Sequence, residues 1–222
     1  IANGALGFEN GIITYVGDGQ DAPLFDLTVD AQGQQLYPGF IAANSTLGLA
    51  EVDAVRATRD DDELGDFLPP IRAAIAYDAE SKIVESMRPN GVLMSQITPR
   101  GGLISGSASV MQLDAWNWED ALIKTEDGIH LNWPNPYSRG RSWLGEDPAL
   151  KANENYLTTI EKLKAFFENA QVYATNQNPI HLPYQAMKGL FDGSKTLYLH
   201  AEDEKQIVDG ISYLKKINIQ TV

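Results

Sequence analysis

The sequence contains no cysteine, and that absence removes several classes of chemistry at once. Disulfide frameworks, thiolate nucleophiles and Cys-based zinc sites are all excluded. Histidine is scarce, with three in 222 residues. Positive charge is short as well: 17 Lys and Arg stand against 30 Asp and Glu, a net charge of -13. Such a chain repels phosphate backbones and anionic lipid surfaces, so neither nucleic acid nor membrane is an expected partner. No apolar run is long enough to cross a bilayer. Neither a Walker loop nor a Gly-x-Ser-x-Gly elbow is present, which leaves Ser/His/Asp chemistry without support. An initiator Met is missing too. The chain opens on Ile1 and closes on an interrupted strand pattern at 218–222, so it is expected to be a piece of something longer. Its compartment, periplasmic, secreted or cytoplasmic, stays open.

What is present is the patterning of a globular α/β protein, with 43% hydrophobic and 21% charged residues. Up to about Leu36 the chain is punctuated by glycine. Asn10-Gly11, between Gly7-Phe8 and Ile12 to Val16, predicts a tight hairpin. Leu24 to Val29 is a second candidate strand, and Gly33 a turn. Pro38 to Ala43 then reads as a buried strand running into the polar Asn44-Ser45-Thr46, followed by an acidic run, Asp60 to Glu63, read as a solvated loop or a cation site.

Beyond Tyr77 strands and helices alternate. Asp78 is placed to cap a helix carrying Ile83, Val84 and Met87, stopped by Pro89-Asn90-Gly91, and Val92 to Met94 begins a strand. Leu157, Ile160, Leu163, Phe167 and Ala170 recur at helical spacing within 151–170. Tyr184, Met187 and Leu190-Phe191 predict a shorter helix ending at Gly193. The strand Thr196 to Ala201, a helix capped by Glu202 or Asp203 with Ile207, Val208, Ile211 and Leu214 on its apolar face, and the strand Ile217 to Val222 form a right-handed βαβ unit with parallel strands.

Five segments carry a family resemblance. Gly11 to Gly17, then Asp30 to Gly33, then Tyr37-Pro38-Gly39-Phe40-Ile41 resembles the entrance to an amidohydrolase. Arg88 to Val92 and Pro99 to Gly106 resemble the second barrel strand and the Gly-rich loop after it, in the imidazolonepropionase-like branch. The resemblance implies an α/β fold: residues 1–37 as part of a small β-sandwich, and 38–222 as the first part of a TIM-like (β/α) barrel, incomplete because a full barrel needs about 250 residues. The family follows Pro-Gly-Phe-Ile with Asp-x-His-x-His, whose two His bind a divalent metal. Here those positions read Ala42, Asn44 and Thr46. An amide and a hydroxyl are poor zinc ligands, so no tightly bound zinc is expected there, although the intact protein could recruit one through later strands.

The resemblance also marks His200, at the end of a predicted parallel strand, as a metal-ligand position, with a hydrogen-bonded structural histidine as the other reading. Arg100, Gly101, Gly102 and Ser105, with Gly106 and Ser107, form a candidate substrate loop whose backbone N–H groups could hold an anion; a plain turn is the alternative. Asn44 and Thr46 are either a metal-free polar pocket, converging with His200 at the barrel mouth, or a satisfied strand end. His130 and His181 sit in loop-rich contexts. Lys124 is a solvent-facing lysine or, by family analogy, a carbamylated ligand. Trp133, Tyr137, Arg139, Arg141 and Trp143 crowd one stretch as a ligand wall or as packing over the barrel mouth.

Two functions follow. One is a hydrolase of cyclic amide or peptide-like C–N bonds acting through a metal-activated water, with a small-molecule amide as substrate. The other is a catalytically inactive relative that keeps the fold for binding or assembly. An open half-barrel exposes strand edges, so association with the remainder of the protein or with itself is expected.

Overall fold

The computed structural model describes residues 1–176 and 178–222 and divides into two compact units, Ile1–Pro38 and Gly39–Val222. In the first, β1 (Gly4–Glu9) and β2 (Ile12–Asp18) pair antiparallel. Asn10 and Gly11 both take positive φ, 51° and 76°, which is what a two-residue hairpin turn between right-twisted strands requires. The predicted strand over Leu24–Val29 does not form; its Leu24, Leu27 and Val29 side chains are exposed.

The second unit contains β3 (Phe40–Ser45), α1 (Lys82–Met87), β4 (Val92–Ile97), β5 (Ile104–Gln112), α2 (Trp118–Ala121) and β6 (Leu122–Asn132). There follow β7 (Tyr137–Arg139), β8 (Leu150–Ala152), α3 (Tyr156–Thr175), α4 (Leu182–Phe191), β9 (Thr196–His200) and α5 (Glu204–Lys216). β3, β4, β5, β6 and β9 form one curled sheet in that order, and β7 and β8 a separate two-stranded ribbon. β3 runs parallel to β4 and β6 parallel to β9, while β5 lies antiparallel between β4 and β6. Four strands therefore point the same way, and their carboxyl ends, Ser45, Ile97, Asn132 and His200, share one rim. This is a partial β/α barrel.

The pleat sorts side chains by period two. Ile129 and Leu131 of β6 and Leu197 of β9 face the helices, where they pack with Leu163 and Phe167 of α3, Met187 and Leu190 of α4 and Leu214 of α5. Ile97 and Met111 join Val84 of α1 in a second core. The alternate residues, Gln96, His130, Asn132, Tyr198 and His200, occupy the opposite face, where they bond one another or their neighbours.

Several boundaries move for identifiable reasons. Ser81, not Asp78, caps α1: its hydroxyl accepts from Val84 N, and Gly91 at φ 83° ends the following turn. α3 begins at Tyr156 and leaves Leu157 exposed. On α5 the buried residues are Gln206, Gly210 and Leu214, while Ile207, Val208 and Ile211 are about half exposed. Residues 220–222 do run parallel to β9: Leu197 N and Leu199 N donate to Gln220 O and Val222 O at 3.1 and 2.9 Å. No helix among the described residues is long and apolar enough to cross a membrane.

Candidate functional site

β3 delivers Asn44 to the strand-end rim in a positive-φ conformation, φ 51°, which asparagine tolerates better than most residues. Its main-chain N–H donates to Gln96 Oε1 at 3.1 Å, and its carbonyl accepts from Arg100 Nη2 at 2.7 Å. The side-chain oxygen accepts from Arg100 Nη1. Asn44 is thus a clamp for a guanidinium. Thr46, two residues on, closes a turn through its carbonyl, which accepts from Leu49 N at 2.9 Å. The expected convergence of Asn44 and Thr46 with His200 is replaced by the contact of Asn44 with Arg100.

Arg100 is tied down at its main chain too, where its N–H donates to Asp61 O at 2.5 Å. Burial pushes its pKa down, and Asp61 partly offsets this. Asp61 is itself buried and gripped by Arg59 through two bonds of 3.2 and 3.0 Å, so its charge is already matched. The solvated-loop reading of the acidic run holds for Asp60, Asp62 and Glu63, which are exposed, and fails for Asp61, an internal anchor; Asp62 lies 3.8 Å from Arg56 at the surface. Among the described residues no carboxylate lies within salt-bridge distance of Arg100.

Two N–H groups of the Gly-rich loop are already engaged. Leu103 N and Ile104 N both donate to Asp66 O, at 2.8 and 2.9 Å. The carbonyls of Gly101 and Gly102 turn toward Asn132 Nδ2, which also donates to Ser105 Oγ at 3.0 Å. Gly102 is required there: φ is 59°, and a Cβ would stand 2.6 Å from Gly65 O. Arg100 presents side-chain donors that have no acceptor among the described residues.

His200 ends β9, and its Nε2 lies 2.8 Å from Nδ1 of His130. His130 is not in a loop. It is a buried residue of β6, stacked on Tyr198 at 4.7 Å between ring centroids. Its own Nε2 is buried without a partner. Burial first, and then the neighbouring His200 and Arg100, depress its pKa to about 3. Burial and then Arg100 lower His200 as well. In such a contact one ring donates and the other accepts, so the pair cannot be doubly protonated at that bond. Below it, Asp127 accepts from Gln96 Nε2 and Tyr198 OH, each at 2.8 Å, and pairs with Lys124 at 2.6 Å. Burial acts to raise the Asp127 pKa, but these three bonds prevail and hold it below the usual range. A hydrogen-bonded line therefore runs Arg100–Asn44–Gln96–Asp127–Tyr198.

The remaining candidates lie elsewhere. Lys124 is the Asp127 partner, and His181 caps α4, its Nδ1 accepting from Tyr184 N at 3.4 Å. Trp133 is buried and donates to Tyr156 OH at 3.3 Å, while Trp143 is exposed. Two shallow clefts, beside Tyr137 and Lys205 and beside Arg72 and Lys195, are not lined by Asn44, Arg100 or His200.

A divalent metal fits this donor set poorly. The amide oxygen of Asn44 already accepts from a cation, and Nε2 of His200 is engaged by His130. Among the described residues no three His, Asp or Glu side chains gather as a metal site would need.

No protein-family model matches the chain, and no curated protein matches it. A solved structure, an amidohydrolase from Thermotoga maritima MSB8, is similar in fold, with a TM-score of 0.74 at 16% identity. The likeness covers 97% of this chain and 58% of that one. The chain thus shares its fold with somewhat more than half of an amidohydrolase.

Proposed function

We propose that this chain is the leading part of an amidohydrolase-like enzyme that hydrolyses C–N bonds in small molecules, with its site at the carboxyl ends of β3, β4, β6 and β9. The observation that carries the reading is the Arg100 guanidinium clamped by Asn44 on that rim, with His200, bonded to His130, near enough to feel its charge. Barrel enzymes place their chemistry on that rim, and the fold likeness supports the hydrolase class. The narrower imidazolonepropionase-like reading, with a cyclic amide as substrate, rests on Tyr37–Ile41 and Pro99–Gly106.

In this reading His200 is the proton carrier. Neutral near pH 7, its imidazole takes the proton of an attacking water as the water oxygen adds to the substrate carbonyl carbon. It returns that proton to the departing nitrogen as the C–N bond breaks. His130, neutral throughout, orients the ring by accepting from Nε2–H of His200, which leaves Nδ1 of His200 as the atom that takes up and returns the proton. Arg100 supplies the fixed positive charge. Zinc, if the intact protein recruits it from later strands, is not held by Asn44 and Thr46.

The test is a screen of cyclic amides and N-acyl amino acids with the intact protein, before and after chelation. Turnover that survives chelation and is lost in His200→Ala is the expected result. A second reading, a catalytically silent binding or assembly module, is favoured by the neutral Asn44 and Thr46 at the family's ligand positions; no turnover on any substrate, with ligand binding retained, is its signature.

A further inference from the structure

We infer that Arg100 takes the place of the metal as the resident cation of this rim, and that it binds the carboxylate of the ligand. The inference rests on the strand-end site being the binding site, as proposed above, and adds the chemical class of what it holds.

A guanidinium carries five N–H donors in a fixed planar fork. Asn44 engages one on Nη1 and one on Nη2. The Nε–H and one N–H on each Nη have no acceptor among the described residues. Both bonds go to one residue, and the Arg100 main chain is fixed to Asp61, so the fork is held in place before any ligand arrives. Among the described residues its charge has no carboxylate partner: Asp61, the acid that acts on it, is held by Arg59. The neighbouring histidine pair is kept neutral, so it does not compete for an anion. A part-buried cation with an open fork and no internal counter-ion calls for an external one. A planar carboxylate matches the fork's two parallel donors. The same charge disfavours Zn²⁺ at the same rim, since two cations would share a site of reduced dielectric.

The experiment compares hippurate with hippuramide, which differ only in carboxylate against neutral amide, and with Zn²⁺ alone. The intact protein is used, and the readouts are titration calorimetry and the arginine Nε–H resonance of ¹⁵N-labelled protein. Hippurate is expected to bind and to move one Nε–H signal that is missing in Arg100→Gln. Arg100→Lys keeps the charge but loses the fork, and is expected to weaken hippurate by about tenfold. Hippuramide and Zn²⁺ are expected to leave the signal in place. Thermal melting of both variants checks that they fold. Equal binding of hippurate and hippuramide, or unchanged hippurate affinity in a folded Arg100→Gln, overturns the inference. So does stoichiometric Zn²⁺ binding that moves the Arg100 signal. Hippurate bound at Arg100 without turnover of any amide would leave this inference standing and sink the hydrolase reading. Turnover of neutral amides alone, indifferent to Arg100→Gln, would do the reverse.

Discussion

At the scale of single residues, His130 and His200 make the site readable through pH. An unfolded histidine titrates near 6.5, whereas His130 in the fold binds a proton only near 3. Between those values the unfolded chain holds more protons than the folded one. Stability is therefore complete above about pH 6.5 and is lost as pH falls, at up to about 1.4 kcal/mol per pH unit for each such histidine. The urea midpoint is expected to drop clearly between pH 7 and pH 5, before most carboxylates titrate, and to drop less in His130→Gln. An unchanged midpoint over that interval would contradict the buried, neutral pair. The pair also shows where sequence reading stopped short. His200 follows an evident strand, Thr196-Leu197-Tyr198-Leu199, and is legible at once. His130 follows Lys124-Thr125-Glu126-Asp127-Gly128, whose charges and glycine read as a loop. Those charges are matched inside the fold, by Lys124 with Asp127 and by Lys195 with Glu126, and a bulge at Glu126, φ 47°, takes up the irregularity.

Elements with one wet and one dry face announce themselves; elements buried on both faces do not. α3, α4 and β9 were legible because their apolar residues recur at a fixed period. β5, Ile104-Ser-Gly-Ser-Ala-Ser-Val-Met-Gln112, is buried along nearly all its length, and its Ser105, Ser107 and Ser109 alternate with Gly106 and Ala108, residues too small to mark an apolar face. Its antiparallel course between β4 and β6 was hidden for the same reason. α5 makes a sharper case. Its apolar stripe was visible, yet the residue that fastens it is polar. Gln206 is buried, donates to the carbonyls of Trp133 and Pro134 at 2.8 and 3.3 Å, and accepts from Glu202 N and Asp203 N in a capping box with Asp203. Gln206→Ala leaves these buried groups unpaired and is expected to cost about 2–3 kcal/mol in denaturant unfolding, against about 1 kcal/mol for Asp203→Ala. Equal small losses for the two would show that the cap, and not the internal bonds, anchors the helix. Gly102→Ala should destabilise as well, because the new Cβ collides with the Gly65 carbonyl.

For the molecule as a whole, the sheet is open: β3 lies at one edge, and beyond β9 at the other lies only the short 220–222 segment. Ile207, Val208 and Ile211 of α5 are substantially exposed, with Phe40 and Ile41 of β3. Apolar faces of this kind seek cover. The 222-residue chain on its own is expected to show concentration-dependent association in sedimentation velocity, lessened by Ile207→Glu with Ile211→Glu. A single monomeric boundary at all concentrations would argue against it. The alternation of strands and helices made the partial barrel legible, but the clamp of Asn44 on Arg100 required the fold, because the two residues stand 56 positions apart. The proposed resident cation of the strand ends is a guanidinium and not a divalent metal. Elemental analysis of extensively dialysed intact protein, beside Asn44→Ala, tests it most directly. No stoichiometric zinc dependent on residue 44 is expected, whereas stoichiometric zinc that disappears in Asn44→Ala would establish a metal site there instead.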